Sequence, residues 1–144
     1  MSEQQKIIYI ADDDEDDRLL FFEAVLDLNL PAAVVETSSG DELLQALYGA
    51  EYFPDVIFLD INMPGKSGFD CLAEIRNAEG NLKNVKIIIL STSSNQANIR
   101  LADELGADFY AVKPSSFQGL KNLIQEVLSN DWNHTSSKKK FLLA

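Results

Sequence analysis

Five short apolar runs, each followed by a segment with helical periodicity, predict an α/β fold: a doubly wound, five-stranded parallel sheet with helices on both faces. Two further observations support it. The clearest runs are continuous rather than alternating, as in strands covered on both sides. Four of them end abruptly on residues with chemistry: Asp12-Asp13, Asp60, Ser91 and Lys113. In open parallel sheets ligands bind outside the carboxyl ends of the strands, so these residues mark a candidate site.

The first strand is expected over residues 6–11, and it runs straight into six acidic residues, Asp12 to Asp17. Carboxylates favour a first helical turn, which accounts for Glu15, Asp16 and Asp17 as a solvated helix start over 16–28. Asp12 and Asp13 lie instead at the strand end. After the turn Asn29-Leu30-Pro31, residues 32–36 make a weaker second strand, and a polar loop leads to a helix over 41–48. The central strand, 56–59, is four apolar residues between Pro54 and the turn Pro64-Gly65, and it delivers Asp60 to the site edge. Ser67 is a suitable N-cap for a helix over 68–77, in which Cys71 reads as a small buried hydrophobe.

Past a polar link at 78–84, a fourth strand over 85–90 ends in the hydroxyl run Ser91-Thr92-Ser93-Ser94. A helix over 95–105 is expected to present Ala97, Leu101, Ala102 and Leu105 on one face, with Ile99 pointing away. Gly106 stops it, a fifth strand spans 107–112, and Lys113-Pro114 ends that strand. The last helix, 116–130, is expected to bury Phe117, Leu120, Ile124, Val127 and Leu128. Residues 1–132 thus read as one domain, and 133–144 as a flexible tail carrying Trp132 at its root, the surface residue His134 and the apolar end Phe141-Leu142-Leu143. At this length a flavodoxin-like strand order is the common solution.

Composition narrows the function. The chain has 144 residues and 46% apolar content, enough for a real core. No stretch is long and apolar enough to span a membrane, the start lacks a signal peptide's apolar core, and the single cysteine excludes an intrachain disulfide, so the expectation is cytoplasmic. A formal net charge of −11 argues against nucleic-acid binding and suits a cation or a basic partner surface.

Three carboxylates crowded at a sheet edge repel by roughly 4 kcal/mol per pair at about 4 Å and an effective dielectric near 20, so they hold either a proton or a cation. Magnesium, which prefers a few carboxylates plus waters and phosphoryl oxygens, answers that problem. With Lys113 as fixed positive charge and Ser91 as hydroxyl donor, the set can stabilise a phosphoryl group on a carboxylate. A calcium loop counted from Asp12 would put Glu23 at its twelfth position, but Asp17 stands where the sharp turn needs Gly and a strand precedes the loop.

These residues together, Asp12-Asp13, Asp60 with Asn62-Met63-Pro64-Gly65 after it, Ser91 and Lys113-Pro114, resemble the receiver domain of two-component response regulators, the CheY-like family, over about residues 6–130. The resemblance implies that Asp60 is the phosphoacceptor for a histidine of a sensor kinase or phosphotransfer protein. It implies Mg2+ held by Asp13, Asp60 and the backbone carbonyl of Asn62, with Asp12 assisting through water, and phosphoryl oxygens held by Ser91 and Lys113. Tyr110 matches the family's aromatic switch, paired with Ser91, and the Lys113–Pro114 bond matches one that is cis in the family.

Thr92 stands where a smaller residue is frequent, which implies slower hydrolysis of the acyl phosphate. With no output domain in the chain, the signal is expected to leave through the fourth helix, fifth strand and fifth helix toward an unknown downstream protein. The same face would serve a homodimer. The loops look similar to single-domain regulators paired with phytochrome kinases. Two alternatives stand beside this reading: a phosphohydrolase of the haloacid-dehalogenase type, whose second Asp is replaced here by Asn62, and a pseudo-receiver that binds partners without phosphorylation.

Overall fold

Strand and helix alternate because continuous β-branched runs alternate with capped helical segments. The computed structural model of the protein describes residues 5–129 and 141–143. Its elements are β1 (Lys6–Ala11), α1 (Glu15–Asp27), β2 (Ala32–Thr37), α2 (Gly40–Tyr48), β3 (Val56–Leu59), α3 (Gly68–Arg76), β4 (Lys86–Ser91), α4 (Gln96–Glu104), β5 (Phe109–Val112), α5 (Phe117–Leu128) and a short β6 (Leu142–Leu143). A 3-10 turn, Gly80–Asn84, links α3 to β4. All strand pairs are parallel, in the order β2-β1-β3-β4-β5-β6.

The inner strands β1, β3, β4 and β5 are buried on both faces, and their side chains divide by alternation into two cores. Tyr9, Ala11, Ile57, Leu59, Ile87 and Ile89 meet α2, α3 and α4 through Leu43, Leu47, Leu72, Ile75 and Ala102. Ile8, Ile10, Val56, Phe58, Ile88 and Leu90 meet α1 and α5 through Phe21, Val25, Leu123 and Ile124. Every α-helix opens on a side-chain cap: Asp14, Ser39, Ser67, Asn95 and Ser116 each accept from a backbone N–H of the first turn. At Ser67 the cap is reciprocal, since Asp70 accepts from the Ser67 backbone N–H. The strand order reverses between β1 and β3, and this switch point is where α/β sheets open a crevice. Asp12 and Asp60 stand on its two sides.

Four expectations need correction. In α4 the inward arc runs through Ile99, Ala102 and Leu105, three residues apart, while Ala97 and Leu101 face outward. Phe117 opens α5 as an exposed residue beside Lys121, whose Nζ lies 5.4 Å from the ring centre, and Leu123 takes a core position in its stead. No peptide bond among the described residues is cis, so Lys113–Pro114 adopts the trans form that X–Pro bonds prefer by about 0.5–1 kcal/mol. Finally, part of the expected tail is strand: Leu142 and Leu143 pair with Tyr110 and Ala111, adding a sixth strand to the predicted five. The boundary at 132/133, Trp132 and His134 lie outside the described residues.

Candidate functional site

Two backbone ladders bring the acids together. The Asp60 N–H donates to the Ala11 carbonyl at 2.9 Å, and the Asp12 N–H to the Thr37 carbonyl at 3.0 Å, so each residue continues its strand's pairing for one step before the chain turns away. One carboxylate oxygen each from Asp12, Asp13 and Asp60 lies within 4.8 Å of the other two. Asp12 and Asp60 are buried, Asp13 exposed. Asn62 lies exposed in the loop after Asp60, and Ser91 is buried at the end of β4.

Lys113 reaches in from the end of β5, held there by its own N–H on the Ser91 carbonyl at 2.8 Å. Its Nζ donates to Asp12 Oδ2 at 2.8 Å and to Asp17 Oδ2 at 2.9 Å, and stands 3.9 Å from Asp60 Oδ2. Burial opposes its charge, but the hydrogen bonds to Asp12 and Asp17 outweigh that and hold the ammonium above its ordinary range. Burial pushes the Asp60 carboxyl up from 3.8 to about 6; Lys113 pulls it down while Asp12 and Asp13 push it further up. The two Asp60 oxygens are unequal. Oδ1 accepts the Ile61 N–H at 2.9 Å, whereas Oδ2 faces Lys113.

An Asp cluster of this kind can hold a metal ion. A hard divalent cation takes oxygen donors and retains waters, and three acids at an open mouth supply that donor set. The calcium-loop reading fails on geometry: α1 begins at Glu15, so Glu23 lies eight residues up the helix, roughly 12 Å along its axis.

Tyr110 is fully buried, and its hydroxyl donates to the Ser93 carbonyl at 2.7 Å. The Ser93 N–H donates to Ser91 Oγ at 3.1 Å, so one loop residue bridges the two expected switch side chains. Cys71, on the inner face of α3, is fully buried in the core, where burial pushes its thiol up to about 11 and leaves it an inert hydrophobe.

Three contributors escaped the sequence reading. Asp17, taken as solvated, is the second anchor of Lys113. Arg18 donates from Nη1 to the Asp12 carbonyl at 2.7 Å and from Nε to Glu36 at 3.3 Å, tying α1 to the site loop. Gly68 packs so closely that a Cβ there would sit 2.2 Å from the Asp60 carbonyl oxygen.

The family model of the response regulator receiver domain matches residues 8–125. Among curated relatives, the response regulator Rcp1 of Synechocystis sp. is 26% identical over 133 residues, covering 89% of this chain and 90% of the relative. The probable methanogenesis regulatory protein FilR2 of Methanothrix harundinacea is 25% identical over 130 residues, covering 88% and 83%. The chain spans only 35% to 40% of the length of other relatives, such as the probable transcriptional regulator ycf27 of Guillardia theta and the chemotaxis protein CheV2 of Helicobacter pylori. Among solved structures, the phosphorylated cyanobacterial phytochrome response regulator RcpA superposes with a TM-score of 0.80 at 29% identity, over 93% of this chain and 98% of that one.

Proposed function

The chain belongs to the response regulator receiver domain family of two-component signalling, and on that premise we propose that Asp60 accepts a phosphoryl group from a histidine of a sensor kinase or phosphotransfer protein. The observation that carries this is the convergence of Asp12, Asp13, Asp60 and Lys113 at the switch point of the sheet. Asp60 Oδ2 is the reacting oxygen, since Oδ1 is occupied by the Ile61 N–H. It forms the O–P bond as the donor's N–P bond breaks, and the imidazole leaves with the electron pair and takes up a proton. Lys113 faces the developing charge, and the Ser91 hydroxyl donates to a phosphoryl oxygen.

Asp12, Asp13, Asp60 and the Asn62 carbonyl would hold Mg2+. Bound there, the ion supplies neutralisation of the crowded carboxylates and of the phosphoryl oxygens. Solved relatives include a phosphorylated RcpA and an Mn2+-bound Rcp1, which supports both assignments.

Ser91 and Tyr110 form the switch: movement of Ser91 toward a phosphoryl oxygen breaks its bond with the Ser93 N–H, and Ser93 passes the change to the Tyr110 hydroxyl. The signal leaves over α4, β5 and α5 to a downstream protein, and the same face serves a homodimer. The receiver unit comprises residues 1–132. The protein is a switch, not a turnover enzyme, and its phosphodonor places it in the cytoplasm.

Intact mass after incubation with acetyl phosphate and Mg2+ tests the reading, with wild type and Asp60→Asn in parallel. A single phosphoryl adduct on wild type alone is expected. An adduct on both variants, or none on wild type together with no beryllofluoride complex, overturns it, and multiple turnover on phosphate esters would mark a phosphohydrolase.

A further inference from the structure

The outer edge of β5 is closed by the chain's own C-terminal residues. Tyr110 donates its backbone N–H outward to the Phe141 carbonyl at 2.9 Å, and Leu142 and Leu143 stand in register with Tyr110 and Ala111. Two of the three residues send their side chains to opposite cores. Phe141 packs on the cluster that contains Tyr110, and Leu143 is buried in the cluster under α5, at 7% exposure against 42% for Leu142. At two residues β6 is shorter than the roughly 3–10 usual for a strand, which makes it the member of the sheet that a longer segment can replace.

We propose that the β5 edge beside Tyr110 is a strand-accepting interaction surface, filled in cis by Phe141–Leu143 and open in trans to a protein segment that repeats this arrangement: an apolar residue at the bend that enters the edge, meeting the Tyr110 cluster, and a second two positions on in the strand, seated beside Ala111. Main-chain bonds to β5 would supply affinity, and the two core-facing seats would select the side chains. The small Ala111 beside Leu143 leaves room for one such seat. Because the outward donor belongs to Tyr110 itself, whatever occupies the edge holds the backbone of the residue that joins the β4–α4 loop through its hydroxyl. The proposal deepens the output face assigned above and rests on that reading for the name of the face only.

The test uses the full chain as wild type and as Phe141→Ala/Leu143→Ala, with a fluorescein-labelled peptide of residues 138–144 as the probe. In wild type the Tyr110 amide should exchange slowly. In the double variant it should exchange at least about tenfold faster, while the amides of Ile57 and Phe58 stay protected. The peptide should bind the variant and bind wild type at least about tenfold more weakly, because the cis segment competes. If the double variant loses protection at Ile57 and Phe58, Leu143→Ala alone carries the same comparison.

Equal peptide binding to both chains, no binding to a folded variant, or unchanged exchange at Tyr110 overturns the proposal. So does a wild-type dimer that the variant converts to monomer, since the segment would then be exchanged between copies. None of these readouts needs phosphorylation, so a failure of Asp60 as acceptor leaves them interpretable.

Discussion

Replacing Asp60 by Asn should make the metal-free protein more stable, because the wild-type fold buries the Asp60 carboxylate, with Asp12 and Asp13 adding to the cost and Lys113 offsetting only part of it. The folded carboxyl titrates at about 6, against 3.8 when unfolded. At 1.36 kcal/mol per pH unit, that rise corresponds to about 3 kcal/mol of destabilisation once Asp60 is ionised in both states. The sign follows from proton counting. Between 3.8 and about 6 the folded chain keeps a proton that the unfolded chain has lost, so wild-type stability falls relative to the variant as pH rises through that window. Below the window the residue is neutral in both states and the difference vanishes.

Asn preserves the oxygen that accepts the Ile61 N–H, and Lys113 keeps Asp12 and Asp17, so the substitution removes little besides the charge. Urea denaturation in EDTA across that pH range measures the gap directly. Mg2+ at about 100-fold its dissociation constant should then raise wild type by about 2.7 kcal/mol and largely close it. A variant no more stable than wild type at neutral pH, or a gap that does not change with pH, would refute the buried-charge account.

Lys113→Ala leaves Asp12 buried beside Asp60 with no ammonium, and should cost about 3 kcal/mol without metal, partly restored by Mg2+, with slower phosphoryl acceptance in a stopped-flow assay. Arg76→Met should cost about 2–4 kcal/mol in urea, because the guanidinium donates to the carbonyls of Gly106, Lys83 and Val85 and pairs with Asp108 at 2.9 Å; acceptance per folded molecule should not change. Gly68→Ala should cost about 3 kcal/mol and slow phosphorylation as well, since its Cβ can be accommodated only by moving the Asp60 backbone. Thr92→Ala should shorten the lifetime of the acyl phosphate by admitting water, as a decay assay on purified phosphoprotein will read; equal lifetimes would remove that role.

The strands and the acidic site were legible because both are written in consecutive residues. A continuous apolar run names a strand, and its next residue must then lie at the sheet edge, which places Asp12, Asp60, Ser91 and Lys113 without any tertiary information. Helix phase is not written that way. In α1 apolar residues occur all round, with Phe21, Ala24 and Val25 buried while Leu19, Phe22 and Leu26 are exposed, so no stripe identified the side from which Asp17 meets Lys113. In α4 two overlapping arcs were available, and contact with the sheet through Ala102 selected the one containing Ile99. Gly68 is visible only as the residue after a cap; its closeness to Asp60 follows from how the loop returns. The pairing of Leu142 with Tyr110 joins positions about thirty apart through two residues, too short a run to carry periodicity.

Lys113 imposes an order on events at the site. Its ammonium already donates to Asp12 and Asp17, and it stands 3.9 Å from Asp60, beyond a hydrogen bond. To meet a phosphoryl oxygen on Asp60 it must give up some of that hold. Asp12 is 1% exposed, and a buried carboxylate stripped of its partner costs several kcal/mol. Lys113 can therefore turn toward Asp60 cheaply only when Asp12 has another cation beside it. Occupancy of the acidic cluster should accordingly precede phosphoryl acceptance rather than merely accelerate it. The rate of acceptance should rise hyperbolically with Mg2+ from near zero in wild type. In Asp12→Asn, which no longer needs a cation, Lys113 should be free to move and the metal-free rate should be the larger fraction of the total. A substantial metal-free rate in wild type, unchanged by Asp12→Asn, would show that Lys113 is not held back by its partners.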